Sequence, residues 1–191
     1  MNFLIKIWLK QRTSLSNFLN RFDSFNKPEQ NSLFFSNYDE AIIHLQEKIK
    51  SNYKYRYDIG DRLRTPNSVW NQTHQTGLLR DDCDGAAILA MNILYKAGYK
   101  NARLLTLVPI KGFWEGHTVC LFNDLDNKLH IIDYGTVSPG FNTFIEILQY
   151  FSRTRYVEYD HFVYSIDIFE NKKWNNHRTD NFSKLAIIMD I

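Results

Sequence analysis

Cysteine is scarce in this chain, which has only two, Cys83 and Cys120, among 191 residues. Small secreted scaffolds held together by disulfides need more, so that class is excluded, and two free thiols suit a reducing compartment. A single bridge between the two cysteines stays open at the level of the sequence. No paired metal-ligand spacing of the CxxC or HxxxH type is present, so we expect no metal.

The chain also lacks a large excess of charge of either sign and lacks long apolar runs. The net charge of +2 is too small to indicate a nucleic-acid or membrane-surface partner. No stretch is long enough for a membrane span, and Lys6 and Lys10 interrupt an N-terminal run that lacks a signal-peptide cleavage site. No glycine-rich loop that could hold a phosphate is present, so we expect no cofactor.

Apolar and aromatic side chains, by contrast, are plentiful, at 44% and 15% of residues. This is enough for a folded core and argues against disorder. The first residues are expected to form an amphipathic helix docked on that core. Helical spacing of apolar residues predicts helices over about 12–24 and 39–50. Residues 1–37 are therefore interpreted as an N-terminal helical arm.

The most clearly predicted element is a buried helix that starts at Cys83 and is closed by Gly98 as a left-handed cap. Residues 51–82 lack a clear period and are predicted to be irregular. Further strands are expected over 102–108, 117–122, 129–133, 156–169 and 185–191, with a helix after Gly140.

Residues 123–128 form a polar turn sequence, which predicts a hairpin between two of these strands. With the turn centred on Leu125, His117 lies opposite Asp133. The Cβ atoms of directly opposed residues are about 5 Å apart. The Asp133 carboxylate would therefore accept from an imidazole N–H of His117 and fix its tautomer. The same register places Cys120 opposite His130.

Cys120 lies within an apolar strand, so a buried structural thiol is its favoured interpretation. Cys83 differs because the unpaired N–H groups and dipole at a helix start favour a thiolate. Three neighbouring aspartates oppose this charge, and one of them is expected to cap the helix. Those aspartates are Asp81, Asp82 and Asp84.

Cys83, His117 and Asp133 together provide a nucleophile, a base and an orienting acceptor. Three simpler interpretations stay open. The thiol could be a core residue, the His–Asp pair a structural hydrogen bond, and the cluster of Cys83, His117 and the aspartates a metal site.

In chain order, the motifs around these residues resemble the transglutaminase-like branch of the papain-like cysteine enzymes. The resemblance covers about residues 38–140, and 141–191 would be a C-terminal helix and strand extension of the same domain. The matching pieces are Asp82-Cys83-Asp84-Gly85-Ala86-Ala87, Ala97-Gly98-Tyr99, Gly116-His117-Thr118-Val119 and Ile132-Asp133, with Tyr57-Asp58, Trp70 and Thr76 upstream.

The resemblance implies an α+β fold, with the nucleophile at the N-terminus of a central helix that packs on an antiparallel sheet. Cys83 would attack an amide or ester carbonyl, His117 would transfer the proton, and Asp133 would orient His117. The resulting thioester would pass to water or to an amine.

The oxyanion donors would be the Cys83 backbone N–H and the Gln72 side chain, with Gln75 and Trp70 as equal alternatives to Gln72. Two positions depart from the family pattern. Asp81 stands where many such domains have glycine, and Gly85 stands where they have a second acidic residue.

These observations predict a cysteine hydrolase or acyltransferase that acts on a peptide or protein substrate. The alternative is a non-catalytic domain of the same fold that serves as an assembly or virion component, with the N-terminal arm docking on a partner. Abundant Asn, Lys, Ile, Phe and Tyr suggest an AT-rich genome, bacterial or phage. The expected location is cytoplasmic, or virion-associated if the protein is phage-encoded.

Overall fold

Six antiparallel strands form the centre of the molecule, and helices cover both faces of this sheet. The computed structural model describes residues 2–22, 38–56 and 63–183. The α-helices are α1 (Asn2–Leu19), α2 (Tyr38–Asn52), α3 (Pro66–Thr76), α4 (Cys83–Lys96) and α5 (Phe144–Thr154). The strands are β1 (Tyr53–Tyr55), β2 (Leu79–Asp81), β3 (Arg103–Pro109), β4 (His117–Asn123), β5 (Leu129–Asp133), β6 (Thr136–Val137), β7 (His161–Glu170) and β8 (Lys173–Ser183).

This arrangement confirms the predicted α+β class and its antiparallel sheet. The strand order is β6-β5-β4-β3-β7-β8, and each neighbouring pair is antiparallel. Since β3 lies between β4 and β7, strands from residues 38–140 and 141–191 share one sheet. A separate parallel pair, β1 with β2, leads directly into α4.

Side chains alternate along the strands, so the sheet separates an apolar cluster on one of its faces from a second cluster on the other. Leu104, Cys120 and Phe122 belong to the cluster that includes the apolar side chains of α4. Their sequence neighbours Leu105 and Leu121 belong to the cluster that includes α5. Adjacent strand residues point to opposite faces of a sheet, so α4 and α5 lie on opposite sides. Helices α2 and α3 also contact α4, which explains why α4 is apolar on nearly every side.

Both ends of α4 agree with the sequence prediction. Asp82 is the N-cap, and its carboxylate accepts from the Asp84 backbone N–H at 3.2 Å. At the other end, Gly98 adopts a φ of 94°. The Tyr99 N–H donates to the Leu94 carbonyl at 2.9 Å, which completes a Schellman cap. The position of Cys83 at the first turn is therefore determined by local capping.

Helix α1 joins the two predicted N-terminal helices into one, ends at Leu19, before the predicted end at 24, and buries a different face. The helix over 12–24 was predicted from the spacing of Leu15, Phe18, Leu19 and Phe22. Of these, Leu15, Phe18 and Phe22 are 52%, 54% and 74% exposed. The buried side of α1 instead includes Ile5 and Leu9 and packs on β7 and β8. Within the described parts of the chain, none of the helices has both the length and the hydropathy that crossing a bilayer requires.

The described parts of the region 51–82, residues 51–56 and 63–82, are more regular than predicted. Helix α3 begins after Thr65, whose Oγ1 accepts from the Ser68 N–H at 3.1 Å, and it ends at Gly77 with a φ of 66°. A Thr-Pro start and a glycine stop are helix signals that the sequence carries. Strand β8 was also missed because its mostly polar residues do not alternate. The strand predicted over 185–191 lies outside the described residues.

Replacing Leu9 by alanine tests which face of α1 is buried. Leu9 is fully buried beside Ile5, Val108 and Val163, so we expect Leu9→Ala to lower the free energy of unfolding by about 2–4 kcal/mol. The matched control is Leu15→Ala on the same helix, which should change it by less than about 0.5 kcal/mol. Urea titrations followed by circular dichroism measure both. Equal losses would contradict the assigned face.

Candidate active site

Cys83 is the first residue of α4 and is half-buried. The backbone N–H of Thr118, the second residue of β4, donates to its sulfur at 3.4 Å. A donor aimed at sulfur stabilises the thiolate more than the thiol, and the positive end of the α4 dipole acts in the same direction. Two elements distant in sequence therefore meet at this sulfur.

The register of the β4–β5 hairpin differs from the prediction. Cys120 lies opposite Ile132 rather than His130, a shift of two residues. An even shift keeps every side chain on its predicted face. His117 and Asp133 are therefore diagonal instead of directly opposed, and their Nε2 and Oδ1 atoms are 2.9 Å apart. The predicted side-chain pair is present although the predicted backbone pairing was wrong.

The hydrogen bond to Asp133 determines which nitrogen of His117 is basic. An ionised carboxylate only accepts, so Nε2 carries the proton and Nδ1 has the free lone pair. The imidazole is 1% exposed, and Nδ1 is buried without a hydrogen-bond partner among the described residues. An unoccupied buried acceptor next to Thr118, which contacts the Cys83 sulfur, is chemically suited to receive a thiol proton.

Tyr134 was not recognised from the sequence, although it directly follows Asp133. Its backbone has a φ of 45°, which is uncommon for a residue with a side chain. Its ring lies 5.8 Å from the His117 ring and 5.6 Å from that of Tyr53, centroid to centroid. Burial raises the pKa of the Tyr134 phenol, and the electrostatic effect of Cys83 raises it further. Tyr134 thus lies beside the imidazole, and its phenol interacts electrostatically with Cys83.

Tyr53 connects this tyrosine to the start of α4. Its hydroxyl is 2.9 Å from the backbone carbonyl oxygens of both Asp81 and Asp82. Burial raises the pKa of Tyr53, which keeps the phenol protonated as a donor. The two tyrosines therefore join the segment before Cys83 to the hairpin that carries His117.

The negative charge of Asp81 has a partner that sequence reasoning missed. Arg64 Nη1 is 3.5 Å from Asp81 Oδ2, and the Asp82 N–H donates to the other carboxylate oxygen at 3.0 Å. The side chain of Asp81 also covers Gly85, where an added Cβ would overlap it. Gly85 is therefore required by the position of Asp81.

The three proposed oxyanion donors are in different surroundings. Gln72 accepts from Arg64 Nη1 through Oε1, so Arg64 connects it to Asp81. Gln75 is exposed. Trp70 is buried against Lys96, whose Nζ lies 4.5 Å from the ring centroid. Lys96 is about 20 Å from Cys83 along the axis of α4. Trp70 therefore lies near the C-terminal end of α4, away from Cys83.

Cys120 has no comparable chemistry. It is fully buried, and burial raises its pKa strongly. The imidazole of His130 is directed elsewhere, with Nε2 2.9 Å from Asp124 Oδ2 and Nδ1 3.0 Å from the Ser138 carbonyl. Both cysteines are free, so the alternative of a bridge between them does not apply to this structure.

Three carboxylates near Cys83 are close enough to share a cation. One oxygen from each of Asp81, Asp82 and Asp84 lies within 4.8 Å of the others. Two of these carboxylates already act within the protein, since Asp82 caps α4 and Asp81 pairs with Arg64. The absence of a metal therefore stays a prediction.

Comparison with known proteins does not identify the chain. A scan against protein-family models found no match, and a search of curated proteins found none either. The likeness to transglutaminase-like enzymes accordingly stays a prediction from the motifs.

Substituting Gly85 tests the packing of Asp81 over the start of α4. Alanine is normally better than glycine inside a helix by about 1 kcal/mol. We expect Gly85→Ala to destabilise the protein instead, by about 1–3 kcal/mol, because it displaces Asp81. In an Asp81→Gly background the same change should become neutral or favourable.

Urea unfolding of the four proteins completes this double-mutant cycle. An equal penalty for Gly85→Ala in both backgrounds would show that Asp81 does not set the requirement for glycine.

Proposed function

We propose that this protein is a cysteine-dependent hydrolase or acyltransferase acting on amide or peptide-type bonds through a transglutaminase-like, papain-like core. The observation that carries the proposal is the arrangement around Thr118. Its N–H contacts the Cys83 sulfur at 3.4 Å, and its neighbour His117 is bound to Asp133 through Nε2 at 2.9 Å. The fold supports it, since a helix beginning at Cys83 packs on an antiparallel sheet.

The proposed reaction begins with transfer of the Cys83 thiol proton to His117 Nδ1. The thiolate then attacks the carbonyl carbon, and the oxygen gains negative charge near the N–H groups that begin α4. His117 returns the proton to the leaving amine as the C–N bond breaks and a thioester forms. Water, deprotonated by His117, then attacks the thioester carbonyl carbon. The C–S bond breaks, the acyl group leaves as a carboxylic acid, and the proton on His117 returns to the Cys83 sulfur. An amine in place of water would give acyl transfer.

The two positions that depart from the family pattern, 81 and 85, are in direct contact, so the two departures are linked. Asp81 stands in place of the family's glycine, and Gly85 stands in place of its acidic residue. The side chain of Asp81 fills the space that a side chain at position 85 would need. Arg64 offsets the added charge at 3.5 Å. The extra aspartate is therefore compatible with a thiolate at Cys83.

The second candidate is an assembly component of the same fold. It is favoured by exposed apolar side chains near the N-terminus: Phe3, Leu4 and Phe18 on α1 and Phe22 just after it are each more than half exposed. Exposed apolar surface of this kind often marks a protein contact. This candidate predicts a stable oligomer or complex on a sizing column and ordinary thiol chemistry.

The pH dependence of alkylation by iodoacetamide tests the proposed thiol–imidazole pair. We expect Cys83 to be labelled with a midpoint well below the ordinary thiol pKa of about 8.5, since His117 and the Thr118 N–H favour the thiolate. In His117→Ala the midpoint should rise, because the cationic partner of the thiolate is lost. Peptide mass spectrometry reads both cysteines separately.

Cys120 is the internal control, since its burial should prevent labelling until the protein unfolds. An ordinary midpoint at Cys83 that is identical in both proteins would overturn the catalytic proposal. Acylation of Cys83 by an activated ester such as p-nitrophenyl acetate, read by intact mass and lost in Cys83→Ala, tests the thioester step.

A further inference from the structure

A row of hydroxyl side chains crosses the sheet. Thr118 on β4, Thr106 on β3, Ser165 on β7 and Thr179 on β8 are successive cross-strand neighbours. Thr106 interrupts an apolar strand and is buried, as is Thr118. Buried hydroxyl groups are costly unless they are hydrogen-bonded. The two threonine Oγ1 atoms are 3.0 Å apart, so they satisfy one another.

Helix α1 inserts a buried cation at this row. The side chain of Arg12 is 1% exposed, and its Nη2 donates to Thr106 Oγ1 at 2.8 Å. The same nitrogen lies 3.5 Å from a carboxylate oxygen of Asp167. Asp167 also accepts from Thr13 at 3.0 Å and from Ser165 at 2.9 Å. The charge of Arg12 is therefore balanced within the core.

The row ends at the candidate active site. Thr118, which contacts Thr106 through its hydroxyl, is the residue whose backbone N–H donates to Cys83 Sγ. Thr118 lies near the N-terminal end of β4. Pairing between β4 and β5 begins two residues later, at Cys120. Thr118 is therefore held from the β3 side, by strand pairing with Thr106 and by the contact between their hydroxyl groups. Three successive contacts connect α1 to the sulfur.

Stability alone does not explain a buried ion pair at this position. Apolar residues of similar volume usually serve a core as well or better, because removing charges from water is costly. We propose that Arg12 is a positioning residue of the Cys83 site, which holds Thr118 through Thr106 so that its N–H meets the sulfur. This inference rests on the proposed function, and it makes α1 part of the site.

Two valine variants separate positioning from packing. Thr106→Val keeps the side-chain shape but removes the hydroxyl that joins Arg12 to Thr118. The matched control, Thr13→Val, removes a hydroxyl from the Asp167 side of the same buried network. Neither changes the ionisable groups that the described residues place near Cys83 or in electrostatic interaction with it, which include Asp81, Asp82, Asp84, His117, Asp133, Tyr134 and Tyr156.

The measurement is the pH midpoint of Cys83 alkylation in each full-length protein, with urea unfolding as a check of folding. We expect Thr106→Val to raise the midpoint by about one pH unit, the effect of weakening one hydrogen bond to an ionised group. Thr13→Val should leave the midpoint at its wild-type value even where it lowers stability similarly. Equal midpoints in the two variants would overturn the inference.

Arg12→Lys provides a second route if Thr106→Val folds poorly. Lysine keeps the charge beside Asp167 but lacks the planar fork that also reaches Thr106. We expect the midpoint to rise in the same direction, and an unchanged midpoint would overturn the inference. Failure of the proposed function is distinguished by the wild type and His117→Ala, whose midpoints would then coincide near the ordinary value.

Discussion

The packing of α4 between the sheet and two other helices is the constraint on which the site depends. Its apolar residues are buried on nearly every side, so the helix has little freedom to move against β4 and β5. Caps at Asp82 and Gly98 determine where it begins and ends. Cys83 is therefore held at one place relative to the hairpin, and a contact of 3.4 Å between its sulfur and the Thr118 amide can form.

Two of the acidic residues beside Cys83 are engaged by other groups of the protein. Asp82 is engaged as the cap, and Asp81 faces Arg64. The same arginine binds Gln72 on α3, which links the segment before Cys83 to a second helix. Tyr53 and Tyr134 then connect this segment to the imidazole. Cys83 and His117, the proposed nucleophile and base, thus belong to one network of contacts.

Helix α1 extends that network through the core. Arg12 is held by Asp167 on β7 and contacts Thr106 on β3, which neighbours Thr118. A buried cation holds its geometry because every alternative leaves an unpaired charge in an apolar region. The N-terminal residues, which the sequence suggested as an arm, therefore connect the far half of the sheet to the site.

The sequence by itself determined the features that depend on near neighbours: helix α4 with its caps, strands β3 to β5, and the shared face of His117 and Asp133. These follow from periodicity and capping. The predicted face was correct although the predicted strand register was wrong, because the register differed by two residues and side chains alternate with a period of two. Only the tertiary structure brought Arg64, Tyr53 and Arg12 to the site and decided which side of α1 is buried. Polar contacts between distant segments leave no periodic signal, because their partners are set by how the whole sheet and its helices pack.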